Sequence, residues 1–134
     1  MRKLFIILFI FCAVSTFAKD KFTTHVTLTT YNAVVGQCNN DPLTMADGTK
    51  IDKGKLKRGK FRCVALSRPL LKRIPYGSVI HIEGHGYYKV HDTMNKRFTD
   101  NRVDILQHEK QKNFKKKDVK ITLVSTPPKK KVKA

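Results

Sequence analysis

The sequence predicts a small, mainly β domain, a barrel or a sandwich with one or two short helices. Three observations carry this. Short segments alternate apolar and polar residues with the period of a strand. Clusters of Gly, Asn, Asp and Pro separate those segments. Helix signals are confined to brief stretches, and no internal repeat interrupts the pattern.

His25 to Tyr31 (HVTLTTY) alternates and is rich in β-branched residues, so it predicts the first strand. Asn32 to Gly59 is rich in Gly, Asn and Asp and predicts mostly loop, with a tight turn at Ala46-Asp47-Gly48-Thr49. Phe61 to Leu66 predicts the second strand. Ser67-Arg68-Pro69 opens a short helix, with Ser67 as its cap and Pro69 in its first turn. That helix ends near Ile74-Pro75-Tyr76-Gly77.

Ser78 to Asp92 reads as a β-hairpin around Gly84-His85-Gly86. Pairing Glu83 with Tyr87 sets Ile82 opposite Tyr88, Ile80 opposite Val90 and Ser78 opposite Asp92. The apolar pairs turn inward because strand side chains alternate. Asp92 is then expected on the core-facing side at the end of its strand. Arg102 to Leu106 predicts another strand, Gln107 to Lys117 a basic surface helix, and Asp118 to Ser125 the closing strand. Pro127-Pro128 stops it.

Residues 1–18 read as a signal peptide. Met1-Arg2-Lys3 is positive, Leu4 to Val14 is apolar, and Thr16-Phe17-Ala18 places small residues at a cleavage site before Lys19. The apolar run falls short of the roughly 20 residues of a membrane span. Phe11 before Cys12 does not suit lipid attachment. The expected organisation is a signal peptide over 1–18, one domain over 19–126 and a basic disordered tail over 127–134. The expected location is the periplasm, the wall or the extracellular space.

The chain carries a formal net charge of +18, with ten lysines against Glu109 and Asp118 after residue 106. Such a field concentrates anionic partners. Nucleic acid is a poor candidate, because single-strand grooves interleave aromatic side chains for stacking and the lysine-rich end has only Phe114. A basic face drawn to an anionic envelope surface fits better. Two cysteines remain after the signal peptide, Cys38 and Cys63. An even count in an exported protein predicts a disulfide, worth roughly 3 to 4 kcal/mol in the chain-entropy model. His81, His85 and His91 are close in sequence, but two histidines on a solvated hairpin face do not make a site. Neither a metal nor a cofactor is expected.

Several motifs occur in order: Thr30-Tyr31, Thr44 to Thr49 (TMADGT), Val64-Ala65-Leu66, Ile74-Pro75-Tyr76-Gly77-Ser78, Asp92-Thr93 and Arg102-Val103-Asp104. The set resembles the three-aspartate (3D) domain of the membrane-bound lytic transglycosylase A family and of the related rare-lipoprotein-A-like barrels. The resemblance spans about residues 27–125. It implies a six-stranded double-psi β-barrel that acts as a monomer on peptidoglycan glycan strands. It assigns Asp92 as the general acid that protonates the leaving oxygen between N-acetylmuramic acid and N-acetylglucosamine. Asp104 becomes the second carboxylate, which tunes Asp92. Thr30, Tyr31, Thr93 and Ser67 become the substrate-contacting positions.

This chain departs from the family pattern at two places. Ser67 stands where the family has its first aspartate, and Met94-Asn95 replaces a glycine pair. A barrel that binds wall glycan without cutting it is therefore the main alternative. A secreted basic protein aimed at host or competitor surfaces is another. The lysine-rich end is expected to serve attachment and not chemistry. Truncation after Ser125 should weaken co-sedimentation with anionic wall material, mostly at low salt, because exposed charges are screened beyond about 10 Å at 0.1 M. Salt-insensitive binding that survives truncation contradicts this.

Overall fold

The computed structural model describes residues 21–32 and 43–128. The expected signal peptide, Cys38 and the expected basic tail from residue 129 onward lie outside them. Six strands close into one barrel: β1 (Thr23–Asn32), β2 (Cys63–Leu66), β3 (Val79–Ile82), β4 (Gly86–Thr93), β5 (Arg102–Gln107) and β6 (Lys115–Ser125). Two short helices, α1 (Lys53–Lys57) and α2 (Arg68–Leu71), sit in the connections. The order around the barrel is β1-β5-β2-β4-β3-β6. The β1–β5 and β2–β4 pairs are parallel, and the remaining neighbours are antiparallel. The fold class read from the sequence is the one the molecule adopts.

Alternation along the strands sorts two apolar clusters. Val26, Leu28, Val64, Leu66, Ile80, Ile82, Val90, Val103, Ile105 and Ile121 fill the barrel, joined by Leu70 of α2 and Ile74 beyond it. Cys63 and Leu106, each one residue along from a barrel-filling side chain, point to the other side of the sheet. There they meet Met45 and Leu56, with Tyr31, Ile51 and Phe61 packed around them. The segment 43–60 is thus pinned across the outside of β1, β5 and β2.

Part of that segment is helical, where the sequence reading expected mostly loop and named no helix. Asp52 caps α1 by accepting from the Lys55 amide at 3.0 Å, and Leu56 supplies its buried anchor. A second difference is the connection from β5 to β6. The expected basic helix over 107–117 does not form. Gln107 Nε2 instead donates to Asn113 Oδ1 at 2.7 Å and to the Gln111 carbonyl at 3.2 Å, closing a compact turn. Lys115 and Lys116 then extend β6 and pair with Thr29 and Leu28. Lone Phe114 gave a helix too little apolar surface to bury.

The hairpin forms with its register moved by two residues. Ile82 pairs with Gly86, His81 with Tyr87 and Ile80 with Tyr88. The loop is Glu83-Gly84-His85, because Gly84 and Gly86 both supply a positive φ. An even shift keeps the side chains as far as Val90 on their expected faces, so Ile80, Ile82 and Val90 still point inward.

Two cysteine and serine expectations need correction. Cys63 is a free thiol, 4% exposed, inside the outer cluster. The expected Cys38–Cys63 disulfide is not formed at this sulfur, which Met45, Leu56 and Leu106 enclose. Burial pushes its pKa up to about 12, so it behaves as a small apolar side chain. Ser67 precedes α2 as expected, but its hydroxyl makes no cap bond. It is fully buried, and its Oγ accepts from the Arg102 amide at 3.0 Å. The Ser67 amide in turn donates to the Arg102 carbonyl at 3.0 Å. This two-way bond ties the start of α2 to the start of β5 and leaves Ser67 no surface for a substrate. Ser67→Ala strands a buried donor, so unfolding free energy should fall by about 1–3 kcal/mol in thermal or urea denaturation. A loss below about 0.5 kcal/mol would show that the Arg102 amide finds another acceptor.

Candidate active site

The site is made by a bulge. Along the parallel β2–β4 pair, Val64 aligns with Val90, but Ala65 aligns with Asp92. His91 is the extra residue. A bulge of this kind breaks the alternation and re-aims the following side chain. Val90 fills the barrel, yet Asp92 shares the outward side of Ala65. The core-facing position expected for Asp92 is therefore overturned by one inserted residue.

Asp104 reaches the same side from the other direction. It pairs with Ala65 across β2–β5 and with Thr29 across β1–β5. Thr29, Asp104, Ala65 and Asp92 thus form one row over four adjacent strands on the outer face of the barrel. Neighbouring strands lie roughly 4.8 Å apart, and Ala65 offers only a methyl group between the two carboxylates.

Their environments differ. Asp92 is engaged on both oxygens. Oδ2 accepts from the Tyr31 hydroxyl at 3.0 Å, and Oδ1 accepts from the Ala46 amide at 2.9 Å and the Thr93 amide at 3.0 Å. Among the described residues Asp104 has one hydrogen-bond partner, the Thr29 hydroxyl, which donates to Oδ1 at 2.9 Å. Among those residues its Oδ2 has none, and it is not sealed from solvent. Burial, with a further push from Asp92 and against the Thr29 hydrogen bond, raises the Asp104 carboxyl from 3.8 to about 6. Arg102 does not neutralise it at contact distance. Its guanidinium Nε is taken by both oxygens of Asp100, at 2.7 and 2.9 Å.

The turn at 46–49 closes over Asp92. Its φ-positive residue is Gly48, and the Met45 and Gly48 backbones bond across it at 2.9 Å. Asp47 Oδ2 meets His91 Nδ1 at 2.5 Å, and the Thr49 hydroxyl lies 3.2 Å from the same nitrogen. Burial would raise the Asp47 carboxyl, but the hydroxyl and amide of Thr49 together with His91 outweigh it and hold it below 3.8.

The expected site residues therefore separate. Asp92, Asp104 and Tyr31 meet, and Thr93 joins them through its amide. Thr30 looks elsewhere: its hydroxyl donates to Asn113 Oδ1 at 3.3 Å and accepts from the Phe114 amide at 3.1 Å. Ser67 is sealed beneath. The family's glycine position is taken by Met94, which is buried and bonds its amide to the Leu66 carbonyl at 2.9 Å. The three histidines scatter, His81 onto Tyr87, His85 onto Phe114 and His91 onto Asp47. Among the described residues no three His, Cys, Asp or Glu side chains are grouped to hold a metal ion. Thr29, Thr49 and His91 belong to the site and were not singled out for it in the sequence; Asp47, a fallback acid candidate there, enters instead as the partner of His91. The one available signal was TMADGT, a tight turn with a carboxylate at its tip.

No protein-family model matches the chain, and no curated protein matches it. The site must be read from its own geometry.

That geometry has a stability consequence. The folded state holds the Asp104 proton more tightly than the unfolded chain does. The stability this provides is fully present below about pH 4 and is lost as pH rises through about 6. Asp104→Asn keeps an oxygen for Thr29 and removes the buried charge. The variant should melt above wild type at pH 7.5, and the gap should close at pH 4. An equal or lower melting temperature at pH 7.5 contradicts the burial cost.

Proposed function

We propose that this barrel cleaves peptidoglycan glycan strands, as a lytic transglycosylase acting on the β-1,4 bond between N-acetylmuramic acid and N-acetylglucosamine. The observation that carries the reading is the pair of carboxyls on one outer face, of which Asp104 has an open oxygen and a pKa raised to about 6. A general acid must hold a proton near working pH and present it to the substrate. Asp104 has an open oxygen, whereas both oxygens of Asp92, the acid expected from the motif order, already accept from protein donors. Asp92, addressed by three donors, serves as the fixed negative neighbour. It keeps the proton on Asp104 and stabilises positive charge developing at the sugar.

Supporting features lie outside the site. The parallel pairs β1–β5 and β2–β4 within a six-stranded barrel accord with the double-psi plan. The signal peptide would deliver the chain to the periplasm or wall, and the lysine-rich end would hold it against anionic envelope polymers. The buried Ser67, in place of a family aspartate, favours the second reading, a barrel that binds wall glycan without cutting it.

Digestion of purified peptidoglycan with the mature protein, followed by mass analysis of soluble products, separates the readings. Anhydro-muropeptides are expected. Reducing ends would indicate a hydrolase, and binding without release would favour the second reading. Asp104→Asn should lower the rate 10²- to 10⁴-fold. Wild-type activity should fall as pH rises through about 6, where Asp104 loses its proton. Asp92→Asn should move that fall to lower pH, because the negative neighbour is gone. A wild-type rate in Asp104→Asn places the acid elsewhere.

A further inference from the structure

We infer that His91 is the base of this site, its Nε2 taking the proton from the glycan hydroxyl that attacks the anomeric carbon. The inference rests on the cleavage reading above and adds a residue that neither the motifs nor the carboxylate pair supply.

His91 and Asp47 form a closed pair, with side chains only 15% and 16% exposed. Both protein contacts of the ring fall on Nδ1, one from Asp47 at 2.5 Å and one from Thr49 at 3.2 Å. Among the described residues Nε2 has no partner, and it is not sealed from solvent. An imidazole whose Nδ1–H donates to a carboxylate presents a lone pair at Nε2. When Nε2 takes a proton, the same carboxylate steadies the imidazolium. Asp47 is suited to that task, since it is held below the ordinary carboxylate range.

Position links the pair to the reaction. His91 is the bulge residue that turns Asp92 outward. The turn that carries Asp47 also bonds Asp92, through the Ala46 amide. The imidazole and the carboxylate row therefore share one surface under one loop.

The step balances without added water. Asp104 gives its proton to the bridging oxygen, and that oxygen keeps the electron pair of the breaking C1–O bond. The 6-hydroxyl oxygen of the muramic ring forms the new bond to C1, and its proton passes to His91 Nε2. The imidazolium then returns a proton to the Asp104 carboxylate through solvent. The products are a free sugar end and a 1,6-anhydro ring.

His91→Asn separates a base from a fastener. An asparagine amide can still donate to Asp47 and hold the loop, but its oxygen is far too weakly basic to take a proton at neutral pH. With purified peptidoglycan as substrate, kcat should fall 10²- to 10⁴-fold, with KM and melting temperature little changed. His91→Ala should regain part of its rate when imidazole is added. A wild-type kcat in His91→Asn, or a folded His91→Ala that imidazole does not accelerate, overturns the role of His91 and leaves the cleavage reading standing. Absence of any glycan product from the wild-type protein overturns both.

Discussion

One inserted residue organises the outer face of this barrel. Without the bulge at His91, β4 would continue its alternation and Asp92 would follow Val90 by two places into the apolar interior. A carboxylate there would lie among the apolar side chains of the barrel, where burial without donors is costly. The bulge turns Asp92 out beside Ala65, onto the side where Asp104 already stands. It also frees His91 from the ladder, so that its ring meets the turn above. The carboxylate pair, the covering turn and the Asp47–His91 contact all follow from that local insertion.

The covering segment depends on a second constraint. Residues 43–60 have little regular structure of their own, and a short helix such as α1 is not stable in isolation. Met45 and Leu56 hold the segment down by burial against Cys63 and Leu106. Polar bonds then set its fine position, with Ala46 on Asp92 and Asp47 on His91. Apolar anchors thus supply the attachment while the carboxylates supply the registration. This explains why Cys63 is worth keeping as a buried thiol: it is part of the floor under the site.

The face is also electrostatically divided. The chain is strongly basic as a whole, yet the row at its centre is acidic, and Arg102, the nearest cation in sequence, is occupied by Asp100. An unneutralised carboxyl in partial burial costs stability and gains a raised pKa. That exchange is common where a fold carries chemistry.

Much of the fold was legible in the sequence because its signals are local. Alternation in HVTLTTY, RVDIL and DVKITLVS marks strands by itself, and Ser67-Arg68-Pro69 marks the start of α2. The hairpin faces were legible as well, since a two-residue slip preserves them. The pair Asp92 and Asp104 was legible only through motif order. Their common surface was not, because alternation counted through β4 gives Asp92 the wrong side, and a bulge is decided by what the partner strand offers. The roles of Asp47, Thr49 and His91 were equally hidden, since residues 47 and 91 are brought together only when 43–60 folds across the barrel. The sequence by itself determined strand positions, an inward apolar set and a basic charge. The tertiary structure alone decided which carboxylate keeps an open oxygen, which histidine meets a carboxylate and that Cys63 is sealed, because each depends on contacts between residues far apart in the chain.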